Sequence, residues 1–473
     1  IEDAVQAFHA ALALAPESVD ARNNLGVALM LQGRIEESEE TLRQAVARAP
    51  ATAPRLASVH SNLLFTMTYN GAHDTESLFA EHRRWDERHG GAHPVAPHAN
   101  GPEPERRLRV GYVSPDFHGH AMALFILPLL AAHDKSTVET YCYAEVDRED
   151  DITGRFKASA SAWRSTVGLD DESVADMMRH DGIDILVDLA GNTRRNRLPA
   201  LARAPAPVQA TYLGYPTTTG LSAIDYKLVD GHIAPPETRE RFSEELVRLP
   251  GCFVTYQPVA DSPAVKPPPG LSTGGITFGS FNNAAKVTPA VVALWARVLD
   301  AVAGSRLVLK TKAFDCPATR DRYARMFTAH GIGAARVELC GHVADPTGHL
   351  ARYHEIDIAL DPFPYNGGTT SLEGLWMGVP VVTLVGDRIV HRFGLSFLAA
   401  CGLAELAASS AAGYVRIAAE LARDRDRLAE LRAGLRDRMA NSPLTDGARL
   451  ARNVERAYRA MWRRWCADRR ARA

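Results

Sequence analysis

Residues 361–386 read "DPFPYNGGTTSLEGLWMGVPVVTLVG". Two glycines, two threonines and a serine stand between an apolar run ending at Asp361 and a short helical pattern, and a second apolar run, "VPVVTLVG", follows at once. Strand, small-residue loop, helix and strand in that order belong to a parallel α/β sheet. The prolines set the path of the loop and the glycines allow close backbone approach. The pattern predicts a helix that begins at the threonines and stops at Gly378. Backbone N–H groups at Gly368, Thr369 and Thr370 would then stand free at the start of that helix, an anion site that needs no side-chain charge.

Working outward, "GITFGSFN", "SRLVLKT", "VELCG" and "IDIALDP" are further short apolar runs on the amino side of this stretch. Before them lies "QPVADSPAVKPPPGLSTGG" (257–275), too rich in proline for a helix or a central strand, and read as a connection between lobes. An earlier set, "RLRVGYVSP", "ETYCYAEV", "DILVDLAG", "VQATYLGYP" and "YKLVD", repeats the alternation. Two doubly wound lobes are therefore expected, with mostly parallel sheets and a ligand cleft beyond the carboxyl ends of the strands, between the lobes.

The amino end is different. "EDAVQAFHAALALAPE" from Glu2 aligns with "EESEETLRQAVARAPA" from Glu36, an offset of 34 residues, matching Phe8 with Leu42, Ala11 with Ala45 and Pro16 with Pro50. That is the period of tetratricopeptide repeats. Between them "NNLGVALMLQGRIEES" has the spacing of a first repeat helix with Gly33 at the turn, and a less regular third copy is read at "HSNLLFTMTYNG" after a short insertion beyond Pro50. The chain thus opens on a second repeat helix, and further repeats are expected upstream. The organisation read from the sequence is helical repeats and transitional helices over 1–97, a linker at 98–107 ("HANGPEPERR"), a first lobe over 108–256, a linker at 257–274, and a second lobe with a basic terminal helix over 275–473.

A length of 473 residues exceeds one ordinary core, and 46% hydrophobic with 23% charged residues is a globular balance. The net charge of −2 gives no reason to expect nucleic acid, and the basic tail "RAYRAMWRRWCADRRARA" reads as a solvated helix face. Six separated cysteines without a CxxC pair fit a reducing compartment, and a cytoplasmic protein is expected. No apolar run reaches membrane-spanning length, and no signal peptide is expected.

GxGxxG after the first strand and a Walker loop are missing, which leaves dinucleotide and triphosphate binding in those two styles unsupported, and HExxH and a nucleophile elbow are absent as well. In "GSFNNAAK" (279–286), Lys286 would stand near a helix start, where it could neutralise phosphate or be an ordinary surface lysine. In "SPDFHGHAM" (114–122), Asp116, His118 and His120 share one tight loop. Two histidines without a third ligand fall short of a metal site, whereas one as a general base suits the titration range of imidazole. "LGYPTTTG" (213–220) is a second small, donor-rich turn. Glu373, three residues after Thr370, suits a capping box and equally a hydrogen bond to ribose hydroxyls.

Together, "RVGYVSPDFHGH", "APVQATYLGYPTTTG", "GSFNNAAK" and "LDPFPYNGGTTSLEGLWMGVPVVTL", in this order behind helical repeats, resemble the O-linked N-acetylglucosamine transferase family and its plant relatives of the Spindly type. The resemblance implies a GT-B fold and an inverting, metal-independent transfer, without a cofactor, from UDP-N-acetylglucosamine to Ser or Thr hydroxyls of a polypeptide held partly by the repeats. It implies His120 as base and Lys286 at the leaving diphosphate. Asn283 would take the place of a phosphate-contacting glutamine, and Thr369 and Thr370 would bind the diphosphate. His349 and Arg352 in "HLARYHE" would lie near the uridine, Glu373 would hold the ribose, and Leu213, Gly214 and Pro216 would flank the donor sugar.

Three departures from the animal enzymes stand out. Gly368 replaces a histidine near the donor sugar, "FNNAAK" lacks an aromatic residue beside the lysine, and only the short proline-rich linker occupies the place of a large insertion between lobes. The first leaves GDP-fucose or UDP-glucose open as donor. A reading of another class is a repeat scaffold with vestigial lobes, against which the intact "NGGTT" and Lys286 count. The last departure points to a bacterial-type homologue.

Overall fold

The computed structural model describes residues 1–50, 53, 55–91, 93 and 97–472. The chain divides into two compact units. One comprises Ile1–Ala51, Thr66–Ala72 and Pro258–Ser442; the other comprises Thr52–Phe65, His73–Gln257 and Pro443–Ala473.

The repeats form helices α1 (Glu2–Leu14), α2 (Val19–Leu31), α3 (Ile35–Arg48), α4 (Leu56–Tyr69) and α5 (Thr75–Trp85), the last continued by a wider turn to Gly90. Ser18 caps α2 by accepting from the Ala21 N–H at 3.2 Å. Val5, Leu25, Ala28 and Leu29 form the core between α1 and α2, with Phe8 and Leu12 against it. Gly26 lets α2 approach α3 closely, since a Cβ there would meet Leu42 at 2.5 Å. The third repeat helix begins at Leu56, earlier than the sequence pattern suggests. Of the short insertion read after Pro50, residues 51, 52 and 54 lie outside the described residues.

In the second unit seven parallel strands, β1 (Leu108–Ser114), β2 (Val138–Ala144), β3 (Ala162–Ser165), β4 (Ile185–Asp188), β5 (Val208–Thr211), β6 (Tyr226–Asp230) and β7 (Glu245–Leu249), stand in the order β3-β2-β1-β4-β5-β6-β7. The first unit holds six, β8 (Thr277–Ser280), β9 (Arg306–Lys310), β10 (Val337–Cys340), β11 (Ile358–Leu360), β12 (Val381–Leu384) and β13 (Ala407–Ala408), in the order β10-β9-β8-β11-β12-β13. All pairings are parallel, each needing a long crossover connection, a helix in most cases and a loop between β5, β6 and β7. Strands β3, β7 and β13 carry no apolar run long enough to betray them. They are sheet edges with one partner and need no hydrophobic cover on both sides.

The terminal helix Gly447–Arg472, counted above with the second lobe, packs instead in the unit of the first sheet. Its Tyr458 hydroxyl is 3.1 Å from that of Tyr112 on β1, and Glu455 lies 2.8 Å from His133. Nor is its basic face simply solvated. Arg459 donates to the carbonyls of Pro104 and Arg106, Trp462 Nε1 donates to Glu103, and Arg463 pairs with Glu105 at 2.7 Å. The 98–107 segment is thereby fastened along the helix. The proline-rich connection is likewise held, by Arg432 and Arg436 donating to the carbonyls of Lys266 and Pro263 at 2.9 and 2.6 Å. Among the described residues no helix is long and apolar enough to cross a membrane.

Candidate functional site

In the six-stranded sheet the chain leaves β8 toward β9 on one side, and β11 lies on the other. A crevice opens beyond the carboxyl ends of strands at such a reversal. Three chain segments meet there: 281–286 after β8, Lys310 at the end of β9, and 361–370 after β11.

Asp361 organises the last of these. Its buried carboxylate accepts from the Gly367 N–H at 2.6 Å, from Ser371 Oγ at 3.1 Å and from Thr383 Oγ1 on β12 at 2.7 Å. Burial pushes this carboxyl up, and the three donors and Lys286 oppose the rise. Gly367 must be small, because a Cβ would meet Ser371 Oγ at 2.2 Å and Asp361 at 2.8 Å. Gly368 is under no such constraint; a Cβ there meets nothing within 4 Å.

The helix Thr369–Trp376 starts on Gly368, has no side-chain cap, and ends at Gly378 with φ +78°. The N–H groups of Gly368, Thr369 and Thr370 find no protein acceptor among the described residues. They form a row of donors at a positive helix end, as the sequence led us to expect. Thr370 Oγ1 donates to Asn282 Oδ1 at 2.9 Å, which ties this helix start to the segment after β8.

Lys286 closes a 3₁₀ turn, Ala284–Lys286, capped by Asn283. Its Nζ donates to the Asn366 carbonyl at 2.7 Å and lies 4.3 Å from the centre of the Tyr365 ring. It is half-buried in the loop that leads to Thr369, so the alternative of an ordinary surface lysine falls away. Burial pushes its pKa down to about 8, with Asp361 opposing. Asn283 is exposed, and its Oδ1 accepts from the Ala285 N–H at 3.0 Å.

A second chain of contacts crosses the same crevice. Lys310 Nζ stands 2.5 Å from His349 Nδ1, and His349 Nε2 stands 2.9 Å from Glu373 Oε2. A lysine ammonium only donates, so Nδ1 accepts and the imidazole proton sits on Nε2, directed at the carboxylate. The Tyr353 hydroxyl contacts the same oxygen at 3.2 Å. Glu373 therefore does not form the capping box; it lies five residues past the N-cap Gly368 and faces His349. Burial lowers the Lys310 pKa, with Glu373 opposing. Arg352 turns away toward Glu355 at 2.8 Å and toward Glu338 and Cys340 at 3.3 and 3.0 Å. Sequence reasoning missed Lys310, Tyr353, Asn282 and Asn366. Lys310 had a signal, a charge at the carboxyl end of a buried strand.

The other unit carries its own sequence-selected residues. Its sheet reverses between β1 and β4. After β1, His120 is exposed, its Nδ1 is 3.6 Å from Asp116 Oδ1, and burial pushes the Asp116 carboxyl up against the opposition of His120 and His118. After β5, Leu213 adopts φ +72°, rare for a side chain of its size, and Gly214 is obligatory because a Cβ would meet the Leu189 carbonyl at 1.9 Å. Pro216 is buried beside them. Two of the three threonines of "TTTG" are spent internally: Glu244 takes the Thr218 hydroxyl at 2.6 Å and the Thr219 N–H at 2.7 Å. Among the described residues no three His, Cys, Asp or Glu side chains gather as a metal site.

The family model described as glycosyl transferase family 41 matches residues 49–258 and 266–454, and a tetratricopeptide-repeat model matches residues 1–63. A tomato (Solanum lycopersicum) protein named "Probable UDP-N-acetylglucosamine--peptide N-acetylglucosaminyltransferase SPINDLY" is 40% identical over 418 residues, 87% of this chain and 45% of that protein. An Arabidopsis thaliana protein with the same activity in its name, SEC, is 30% identical over 76% of this chain and 38% of its own length. The chain spans less than half the length of these curated relatives. A solved structure of a lysine-to-methionine mutant of the Thermobaculum terrenum O-GlcNAc transferase superposes with a TM-score of 0.93 at 37% identity, covering 98% of this chain and 88% of that one.

Proposed function

Because the chain belongs to glycosyl transferase family 41, preceded by tetratricopeptide repeats, we propose that it moves N-acetylglucosamine from UDP-N-acetylglucosamine to Ser or Thr hydroxyls of a polypeptide, with inversion. The observation that carries this reading is the pairing of Lys286 with the unaccepted N–H groups of Gly368, Thr369 and Thr370 at one sheet reversal. The names of the relatives support the donor and the peptide acceptor.

The step is one in-line displacement. The acceptor oxygen bonds to the anomeric carbon, the bond from that carbon to the diphosphate oxygen breaks, and the electron pair leaves with UDP. Charge builds on the β-phosphate, where Lys286 and the fixed N–H donors stabilise it more than they stabilise the bound substrate. These groups supply the positive charge a cation would otherwise bring, so the reading needs no metal. Glu373, oriented by His349, is the partner for the ribose hydroxyls, with Asn283 toward the phosphates; Arg352, tied to Glu338 and Glu355, is left out of this set. Leu213, Gly214 and Pro216 flank the sugar. His120, with Asp116 beside it, takes the hydroxyl proton. The repeats hold part of the polypeptide. The six free thiols support placing the reaction in the cytoplasm.

The test is calorimetric titration with UDP, GDP and their sugar conjugates, on the wild type and on Thr370→Ala. Selective UDP binding, weakened by the substitution, is expected. Selective GDP binding would move the chain to another donor, and no binding at all would overturn the enzyme reading in favour of a repeat scaffold.

A further inference from the structure

The repeats reach Lys286 by two routes. At the carboxyl end of α4 the Tyr69 ring, 5% exposed, stacks on Tyr365 with centres 4.7 Å apart and planes at 18°. The other side of this contact is functional, for Tyr365 lies under the Lys286 ammonium, 4.3 Å from its nitrogen. Such stacks fix ring orientation, and a fixed ring fixes a cation held over its face. Tyr69 is itself secured by the repeat. The next residue, Asn70, donates to Glu39 of α3 at 2.9 Å, and Arg43 of α3 reaches Met67 Sδ at 3.4 Å.

The second route runs through the α2–α3 turn. Gly33, with φ +74°, sits so close to the Lys286 turn that a Cβ would meet the Ala284 carbonyl at 2.7 Å. Arg322 donates to the Gln32 and Gly33 carbonyls at 2.7 and 2.8 Å and holds the turn there. The neighbouring Tyr323 hydroxyl contacts the Ala284 and Val287 carbonyls at 2.8 and 3.1 Å. The backbone of the 3₁₀ turn and the aromatic seat of the ammonium are thus both braced by repeat residues.

We propose that the repeats are part of the catalytic framework and that Tyr69 is a positioning residue, setting the place of Lys286 through the ring of Tyr365. The assignment rests on the reading of Lys286 as the group that stabilises the leaving diphosphate. It gives the repeats a role beyond holding a polypeptide. A ligand that shifts the end of α4 would change turnover without touching the donor.

The experiment uses the full chain as wild type, Tyr69→Leu, Tyr69→Phe, Tyr365→Leu and the Tyr69→Leu/Tyr365→Leu double variant. Two quantities are read: steady-state turnover of the sugar nucleotide, and the pH midpoint at which an amine-acylating reagent labels Lys286, followed by mass spectrometry. The ammonium faces Asp361, the Tyr365 ring and the Asn366 carbonyl. Tyr69→Leu is expected to lower kcat about tenfold while leaving the donor KM within about twofold. It should also move the labelling midpoint toward that of ordinary lysines as water reaches the ammonium. Tyr69→Phe keeps the ring and restores both. In the Tyr365→Leu background the Tyr69→Leu change adds nothing, because the path is already cut.

Unchanged turnover and midpoint in Tyr69→Leu would overturn the proposal. So would an equal loss in the Tyr365→Leu background, which marks general destabilisation, or failure of Tyr69→Phe to restore. If the wild type turns over no sugar nucleotide, the functional reading fails, while the labelling midpoints still decide whether Tyr69 positions Lys286.

Discussion

Lys286 donates to the carbonyl of Asn366, 80 residues further along the chain, at 2.7 Å. One hydrogen bond joins the turn after β8 to the loop after β11, and so sets a cation beside a helix start that lacks acceptors. Most consequences that can be tested follow from this junction.

The half-buried setting of Lys286 gives a pH dependence. Its pKa is pushed down to about 8, against about 10.4 for an ordinary lysine. The charged form is the one that stabilises a departing diphosphate, so kcat/KM is expected to fall as pH rises through about 8. The profile of UDP release should show that basic limb. A rate that stays level until the ordinary lysine range would contradict the role.

Replacing the lysine separates chemistry from binding. Lys286→Met is expected to lower kcat by about 10²–10³ while the donor Kd changes less than about tenfold, since the charge acts on what develops in the transition state. Equal losses in kcat and affinity would reduce Lys286 to a binding group. Single-turnover kinetics beside calorimetry distinguishes the two.

Asp361 is a stability prediction. Asp361→Ala leaves the Gly367 N–H and the hydroxyls of Ser371 and Thr383 without their acceptor in a buried place. A loss of about 2–4 kcal/mol in urea unfolding is expected. A loss below about 1 kcal/mol would show that the loop is held by other contacts.

The paired glycines should behave differently. Gly367→Ala forces a Cβ to within 2.2 Å of Ser371 Oγ, whereas at Gly368 the same atom meets nothing within 4 Å. Thermal unfolding should show Gly367→Ala clearly destabilised and Gly368→Ala close to wild type. The reverse order would mean that the loop is drawn wrongly at its most important point.

Lys310 and His349 carry the last prediction. With Lys310→Met, Nδ1 of His349 loses its donor and the imidazole is free to change tautomer or rotate away from Glu373. Uridine-nucleotide affinity is expected to fall about tenfold, the size of one well-placed hydrogen bond to a charged group. Calorimetry on the variant measures it. An unchanged Kd would separate Lys310 from the nucleotide site.

Much of this was legible in one dimension. Short apolar runs marked the buried strands, and the 34-residue offset between Glu2 and Glu36 marked the repeats. The row "NGGTT" declared a helix start with free donors, since small residues after a buried strand have few other uses. These are local signals, because backbone geometry and burial act on neighbours in sequence. Three of the four edge strands, β3, β7 and β13, gave none, for an edge needs less hydrophobic cover, while the fourth, β10, was legible as "VELCG".

What the sequence determined alone was therefore the kinds of element, their order and the location of a helix start with free donors. Tertiary structure alone decided which side chains share a space. It decided against the cap among the two readings of Glu373 and set that residue against His349, sent Arg352 to Glu338 and Glu355, spent Thr218 and Thr219 on Glu244, and brought Lys310 and Tyr69 into the account. The physical reason is that a carboxylate or a ring takes whichever partner the packed strands and helices bring within about 3–5 Å, and those partners stand tens to hundreds of residues away in the chain.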